Sequence, residues 1–152
     1  MNLNYLTYDS NGKHGIPLVI LHGLFGGGDN WATIARTLSD EQPVYAPDLP
    51  NHGASPHTDR FDYREVAEDV YNWLREVGLE RVKLLGHSMG GKIAMSLALQ
   101  YPELVDSLIV ADIAPKSYPP RHGREFDAME AVRDAGAKDR RAADAVLAER
   151  ID

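Results

Sequence analysis

The sequence predicts an α/β fold in which helices flank a mostly parallel sheet. Apolar runs of strand length, such as residues 16–21 and 107–112, alternate with segments of helical periodicity. A continuous apolar run indicates a strand that is buried on both faces, as in a parallel sheet. The alternation of strands and helices then implies βαβ units with right-handed crossovers.

The predicted strands follow one another at regular intervals. Residues 3–8 alternate weakly, as an edge strand does, and the apolar runs 16–21, 43–47, 81–85 and 107–112 supply the others. Helices are predicted over 31–38, 63–77 and 91–100. The second has an apolar face, because its large apolar residues recur at helical spacing. These residues are Val66, Val70, Trp73, Leu74 and Val77.

The character of the chain changes after residue 115. Pro115, Pro119 and Pro120 interrupt a polar stretch, and from about Arg124 the chain is rich in Ala, Arg and Asp with helical spacing. We therefore predict two parts. Residues 1–115 form the sheet-containing part, and residues 116–152 begin a helical layer.

Composition excludes several classes of function. The net charge of −7 leaves no basic surface for nucleic acid, and the absence of cysteine excludes disulfides and thiolate metal sites. No histidine or acidic pair has convincing metal-ligand spacing. The first residues lack the basic and apolar regions of a signal peptide, and no apolar run approaches the ~20 residues of a membrane span. We expect a cytoplasmic protein without a metal or cofactor.

The pentapeptide Gly86-His87-Ser88-Met89-Gly90 has the pattern G-x-S-x-G. It lies between a predicted strand and a predicted helix, which is the context of a nucleophile elbow. The glycines leave room for a sharp turn that exposes the serine hydroxyl. Ser88 is therefore the candidate nucleophile. His87 is one residue away along the chain, so its ring is poorly placed to act as the base, and it is a candidate for packing or substrate contact.

A glycine-rich loop over residues 22–28 follows the first buried strand. Acyl transfer needs backbone N–H donors for the developing oxyanion. In an elbow enzyme, Met89 supplies one donor and the loop supplies the other, for which Leu24 is the candidate. Two alternatives are a flexible loop and a dinucleotide site, but G-x-G-x-x-G is absent and Trp31 occupies the position of its last glycine.

Two acids and one histidine are candidates for supporting roles. Asp112 ends the strand after the elbow, where it could orient a histidine or cap a turn. Asp48 ends an earlier strand and could be a catalytic acid or could stiffen its loop. In this kind of site, the catalytic residues follow one another along the chain in the order Ser, acid, His. His122, in the proline-rich entry to the helical part, is the histidine that follows Ser88 and is therefore the candidate base.

Four motifs in order, at residues 21–26, 48–55, 86–91 and 111–115, resemble the α/β-hydrolase superfamily, most closely the YbfF-like esterases. The resemblance implies an α/β-hydrolase sheet and a helical cap from about residue 116 that shapes the acyl pocket. It implies that Ser88 is the nucleophile, that Leu24 and Met89 form the oxyanion hole, and that Asp112 occupies a position where some related enzymes place the triad acid, while others use the next strand.

Further candidates for substrate contact lie around the motifs. They are His22, Phe25, His87, Arg121 and Arg124. The two arginines could meet an anionic group of the substrate or could simply line a solvated cap entrance.

The predicted function is hydrolysis of carboxylic esters or acyl thioesters through an acyl-enzyme on Ser88. Family members are longer, so we expect a C-terminal piece or second polypeptide to supply the histidine and to complete a sheet that is incomplete at its C-terminal edge.

The alternative is a non-catalytic hydrolase-like fragment that binds a ligand or partner. A cofactor-free peroxidase or a C–C bond hydrolase would use the same elbow. Epoxide hydrolases and haloalkane dehalogenases fit poorly, because they place an acid where Ser88 stands.

Overall fold

A computed structural model describes residues 1–9, 15–119 and 122–150. The chain divides into two compact units, Met1–Pro115 and Lys116–Asp152. The first unit contains the sheet with its helices, and the described part of the second unit contains two helices. The boundary lies where the composition of the sequence changes.

A five-stranded sheet forms the centre of the first unit, counting the residues that the structure describes. The strands are β1 (Tyr5–Tyr8), β2 (Leu18–Leu21), β3 (Val44–Pro47), β4 (Val82–His87) and β5 (Val105–Ala111). Their order is β1-β3-β2-β4-β5. β1 is antiparallel to β3, and the other pairs are parallel. The prediction of a mostly parallel α/β sheet is confirmed.

Three helices of the first unit flank this sheet. They are α1 (Ala32–Leu38), α2 (Tyr63–Glu76) and α3 (Met89–Gln100), and a 3₁₀ turn over Gly28–Trp31 precedes α1. Asp62 caps α2 by accepting a 2.8 Å hydrogen bond from the Arg64 N–H, which satisfies an otherwise unpaired donor of the first turn. The apolar face predicted for α2 is the buried one, with Val66, Val70, Trp73 and Leu74 in the core.

The side chains of β2 show how the sheet is covered. All four are buried. Val19 and Leu21 belong to the large core cluster that includes α2 and α3, whereas Leu18 and Ile20 pack with Ala35 of α1 on the other face. Successive strand residues point to opposite faces. Burial on both faces therefore explains why this strand is uninterruptedly apolar.

β5 forms one edge of the sheet within the described ranges, where it pairs with β4 alone. Two of its apolar side chains are also open to solvent: Ile109 is 58% exposed and Leu108 37% exposed. The predicted C-terminal edge is therefore an apolar strand with one unpaired side, the situation that folded proteins generally avoid.

The second unit consists of α4 (Gly123–Asp134) and α5 (Arg140–Leu147) in its described part. Asp139 caps α5 by accepting a 2.9 Å hydrogen bond from the Ala142 N–H. Ala128 is buried, and Phe126 and Met129 are exposed. The assignment of this unit as the beginning of a cap stays a prediction, as does the cytoplasmic location. None of the helices in the described ranges has the length and apolarity that crossing a bilayer requires.

Candidate active site

Ser88 lies on a sharp turn between β4 and α3. Its φ of 49° and ψ of −112° fall outside the regions that a residue with a side chain prefers. The chain can turn this tightly because neighbouring positions lack side chains. A Cβ at Gly86 would collide with the Gly90 carbonyl oxygen, and a Cβ at Gly90 would collide with the Leu21 carbonyl oxygen. Such strain at a half-buried serine is typical of functional sites.

The glycine-rich loop passes directly beside this serine. A Cβ built on Gly23 would lie 3.5 Å from the Ser88 Cβ and 2.8 Å from the His87 Nδ1. The loop therefore approaches the elbow more closely than a residue with a side chain would allow. Leu24 follows Gly23, and Met89 is the first residue of α3, whose N–H has no acceptor within the helix. These two predicted oxyanion donors thus belong to segments that meet at Ser88.

Two adjacent residues after β3 hold the two ends of this loop. The Asp48 Oδ1 accepts a 2.8 Å hydrogen bond from the Gly28 N–H at the end of the loop. The His22 Nε2 accepts a 2.9 Å hydrogen bond from the Leu49 N–H at its beginning. The loop is therefore anchored at both ends by buried polar contacts, which argues against the interpretation of a merely flexible loop.

His22 acts on the loop through both ring nitrogens. Its Nδ1 lies 2.8 Å from the Gly23 carbonyl oxygen, and because Nε2 accepts from the Leu49 N–H, the network assigns the ring proton to Nδ1. Burial lowers the pKa of His22, although the bond to Gly23 acts in the opposite direction. The ring is 1% exposed and both nitrogens are occupied. These contacts favour a positioning role over the predicted direct contact with substrate.

The Asp48 carboxylate is occupied by donors from this chain. The Gly28 N–H, the Ala54 N–H and the Asn4 side-chain amide donate to it over 2.8, 3.0 and 2.8 Å. Burial acts to raise the pKa of Asp48, but these hydrogen bonds outweigh it, so the pKa lies below its ordinary value. Gly53 adopts a φ of +54°, and a Cβ there would collide with the carboxylate. Of the two roles considered for Asp48, this geometry supports the stiffening of the loop.

Asp112 follows β5 at the same end of the sheet as Ser88. It has a positive φ of 57°, and its side chain is 87% exposed. Its Oδ2 lies 3.8 Å from the His87 Nε2, which is too long for a hydrogen bond. The carboxylate thus stands open at the edge of the site.

An open cleft of about 370 Å³ lies beside the elbow. Its walls include Leu24, Phe25, Asn30, Trp31, Ile34 and His87. The rings of Trp31 and His87 meet edge to face, with centroids 6.0 Å apart. Phe25 and His87 were predicted to contact substrate, and they line this cleft.

Sequence reasoning missed three of the residues that line this cleft. Trp31 was interpreted as the start of a helix, and neither Asn30 nor Ile34 was singled out. The available signal was local: Asn30 stands three residues after Gly27, and its side chain accepts a 2.8 Å hydrogen bond from the Gly27 N–H. This bond fixes the entry to the 3₁₀ turn.

The remaining predicted residues belong to the second unit or lie outside the described residues. Arg121 lies outside the described residues. Arg124 is exposed in α4. His122 has a φ of 68°, and its Nδ1 lies 3.8 Å from the Glu125 Oε1. Both belong to the second unit, and their roles stay predictions. Within the ranges that the structure describes, no three His, Asp or Glu side chains gather to hold a metal ion.

Comparison with known proteins identifies the family. A family profile described as alpha/beta hydrolase fold matches residues 16–149. The chain therefore belongs to the α/β-hydrolase family, as its motifs predict.

Individual relatives agree with the predicted resemblance to YbfF-like esterases. A putative esterase/lipase of Haemophilus influenzae is 40% identical over 151 residues, which cover 98% of this chain and 53% of the relative. Esterase YbfF of Escherichia coli is 34% identical over 153 residues, which cover 99% and 60%. The solved structure of a marine microorganism esterase superposes with a TM-score of 0.91 at 40% identity, covering 99% of this chain and 59% of that one. The chain thus spans between half and three fifths of the length of these relatives.

Proposed function

We propose that this chain carries the nucleophile of a serine hydrolase that cleaves carboxylic esters or acyl thioesters. The observation that carries the proposal is the strained turn at Ser88, packed against an anchored glycine-rich loop. The names of the relatives, esterase and esterase/lipase, support the same reaction class. The substrate would be a small molecule with an activated acyl carbonyl.

The reaction would proceed through a covalent intermediate. The Ser88 Oγ attacks the acyl carbonyl carbon while a base takes the hydroxyl proton. The N–H groups of Leu24 and Met89 stabilise the negative oxygen that forms. The alcohol or thiol leaves with the proton, and water then attacks the acyl-enzyme, releasing the carboxylic acid and restoring Ser88.

Asp112 would orient the base. It ends β5, the strand beside the one that carries Ser88, and its carboxylate is open. Within the described ranges, no hydrogen bond joins the Ser88 Oγ to a histidine, and His22 and His87 lie against other partners. We propose that the histidine comes from a C-terminal segment or second polypeptide that also pairs with β5. The exposed apolar residues of that edge strand support this proposal.

A fluorophosphonate probe tests the nucleophile. We expect it to add one phosphonyl group to Ser88 of the native protein, mapped by peptide mass spectrometry, together with any polypeptide that copurifies. Ser88→Ala should abolish the adduct, and Ser107→Ala, at an exposed serine of β5, should leave it unchanged. An adduct on another serine would refute the assignment.

The second candidate is a non-catalytic fragment that binds a ligand or partner. The observation in its favour is that the Asp112 carboxylate faces His87 rather than a base that reaches Ser88. This candidate predicts a folded protein that resists the probe even when it is isolated with its associated polypeptides. The labelling experiment therefore separates the two.

A further inference from the structure

We propose that His87 is a positioning residue, whose ring holds one carboxylate oxygen of Asp112 and leaves the other oxygen for the catalytic base. This inference rests on the proposed function, because it assigns a further residue to the reaction that Ser88 begins. His87 acts through Asp112 and does not itself take the proton of the serine.

The His87 ring lies at the end of β4 and faces the segments that follow the strands on both sides of it. Its Nδ1 faces the glycine-rich loop after β2, where a Cβ built on Gly23 would lie 2.8 Å away. Its Nε2 faces the end of β5, where the Asp112 Oδ2 lies 3.8 Å away. The ring therefore stands between the predicted oxyanion loop and the predicted triad acid.

Two contacts fix the direction in which the His87 ring points. The Trp31 ring meets it edge to face, with centroids 6.0 Å apart. Gly23 leaves room for the Nδ1 edge only because it lacks a side chain. Since these contacts hold the ring from other directions, its Nε2 edge is directed toward Asp112.

The backbone around Asp112 is already fixed relative to the nucleophile. The Ser88 N–H donates a 2.9 Å hydrogen bond to the Ala111 carbonyl oxygen. On the other side of Asp112, Ile113 packs so closely on α3 that a Cβ at Gly91 would lie 2.6 Å from its Cγ2. Both neighbours of Asp112 in the chain thus contact the elbow or its helix, and these contacts set the position of the Asp112 Cα beside Ser88.

The Asp112 side chain is held less firmly than its backbone. It is 87% exposed, and a side chain this open can turn between rotamers. A triad carboxylate must keep one orientation, because it sets the tautomer and the direction of the base. A second donor to the same carboxylate supplies that orientation, and the His87 Nε2 is placed to be this donor.

The distance of 3.8 Å is longer than a hydrogen bond. Catalytic hydrogen bonds are often long before a site is complete, and they shorten when every partner is present. With the base in place, the Asp112 Oδ2 accepts from the His87 Nε2–H, and Oδ1 accepts from the Nδ1–H of the base. Each oxygen then has its own donor, so the carboxylate cannot turn away from the base.

Two substitutions at position 87 separate the hydrogen bond from the packing. His87→Phe keeps a ring beside Trp31 but removes the donor. His87→Gln removes the ring but keeps an N–H donor on a side chain of similar reach. If His87 acts through Asp112, the glutamine variant keeps its activity and the phenylalanine variant loses it. A role in packing alone gives the opposite result.

Steady-state hydrolysis of p-nitrophenyl acetate by the native protein, with any polypeptide that copurifies, compares these variants. We expect His87→Phe to lower kcat about tenfold or more, the effect of losing one hydrogen bond to a charged group, while KM changes less than about twofold. His87→Gln should keep kcat within about threefold of the wild-type value. His57→Phe, the same change at an exposed histidine of another loop, should leave both constants unchanged.

A double-mutant cycle tests whether His87 acts through the carboxylate. Asp112→Asn alone should lower kcat more than His87→Phe does, and adding His87→Phe to it should cost less than about twofold more. Effects that multiply independently would overturn the proposal, as would a fully active His87→Phe variant or a folded but inactive His87→Gln variant. If His87→Gln does not fold, the cycle decides.

The fluorophosphonate probe distinguishes failure of this role from failure of the proposed function. If the probe does not label Ser88 of the wild-type protein, the hydrolase proposal fails, and the role of His87 fails with it. If Ser88 is labelled but His87→Phe reacts as fast as the wild-type protein, only the positioning role is wrong. The rate of labelling depends on the same base, so it gives this comparison without turnover.

Discussion

The Gly28 N–H donates a 2.8 Å hydrogen bond to the Asp48 Oδ1, joining the end of the glycine-rich loop to the residue after β3. The next residue, Leu49, donates to His22 at the beginning of the same loop. Two consecutive residues thus hold a loop that must present an N–H to an oxyanion. A donor is effective only when it is already in place before charge develops.

Asp48→Asn should weaken the fold and loosen the loop. One carboxylate oxygen becomes an NH₂ group, so at least one of the Gly28 and Ala54 N–H groups loses its acceptor. An unpaired buried donor costs roughly 1–3 kcal/mol of unfolding free energy. Urea denaturation measures this loss. Asp29→Asn, at an exposed acid of the adjoining 3₁₀ turn, is the control and should be neutral. Equal stability of the two variants would contradict the anchoring role.

Stability should fall as the medium becomes acidic, first because of His22. Burial lowers its pKa below the ordinary 6.5, so the folded state prefers the neutral ring. The contribution of the neutral His22 ring to the free energy of unfolding is therefore complete above pH 6.5 and declines as the pH falls below that value. Asp48, whose pKa lies below 3.8, loses its contribution only in stronger acid. Urea denaturation at a series of pH values measures both ranges.

His22→Gln provides the check on that assignment. A glutamine can keep an acceptor for the Leu49 N–H but does not titrate. The decline below pH 6.5 should therefore become shallower. His57→Gln, at an exposed histidine, should retain the wild-type slope. If both variants behave alike, the pH dependence does not come from His22.

Gly23→Ala should impair catalysis more than folding. The added Cβ would stand 2.8 Å from the His87 Nδ1 and 3.5 Å from the Ser88 Cβ, so the loop or the His87 ring must shift. Loss of one oxyanion donor costs about 10²–10³ in kcat, and we expect a displaced donor to cost about tenfold or more. Steady-state kinetics of the native protein measures this.

Gly123→Ala is the matched substitution for that experiment. A Cβ at Gly123, the first residue of α4, meets no atom within 4 Å. It should leave kcat unchanged. Equal activity of the two variants would show that the loop tolerates a side chain beside Ser88.

Ser88→Gly should stabilise the fold while removing the nucleophile. The φ of 49° is strained for a residue with a Cβ but not for glycine. Relief of such strain is worth about 1 kcal/mol. Ser88→Ala also removes the hydroxyl but keeps the strain. The difference in unfolding free energy between the two variants therefore measures the cost of the strained backbone at residue 88. If the glycine variant is no more stable than the alanine variant, the claim that a side chain strains the backbone at residue 88 is wrong.

Local patterns in the sequence predicted the elements well. The elbow strand, turn and helix are contiguous, and the apolar face of α2 repeats at helical spacing, so neighbours along the chain carry the information. The observed strand boundaries differ from the predicted ones by a few residues: β2 begins at Leu18 rather than at residue 16, and β5 begins at Val105 rather than at residue 107. These shifts follow the hydrogen bonds between strands, which a single strand does not reveal.

The role of His22 is the clearest case in which the sequence could not decide. A histidine at the start of a glycine-rich loop suggests contact with substrate. Its ring instead lies between the Gly23 carbonyl and the Leu49 N–H, and it is almost fully buried. Leu49 is 27 residues away along the chain, so no local pattern predicts the contact.

The sequence by itself determined the fold class, the elbow and the identity of the candidate nucleophile, because apolar periodicity and G-x-S-x-G are properties of adjacent residues. The tertiary structure decided how the loop is anchored and where the cleft beside the elbow lies. Those features join Gly28 to Asp48, Leu49 to His22, and Trp31 to His87. Such pairs meet only after β2 has aligned in parallel with β3 and β4, which brings the carboxyl ends of the strands to one edge of the sheet.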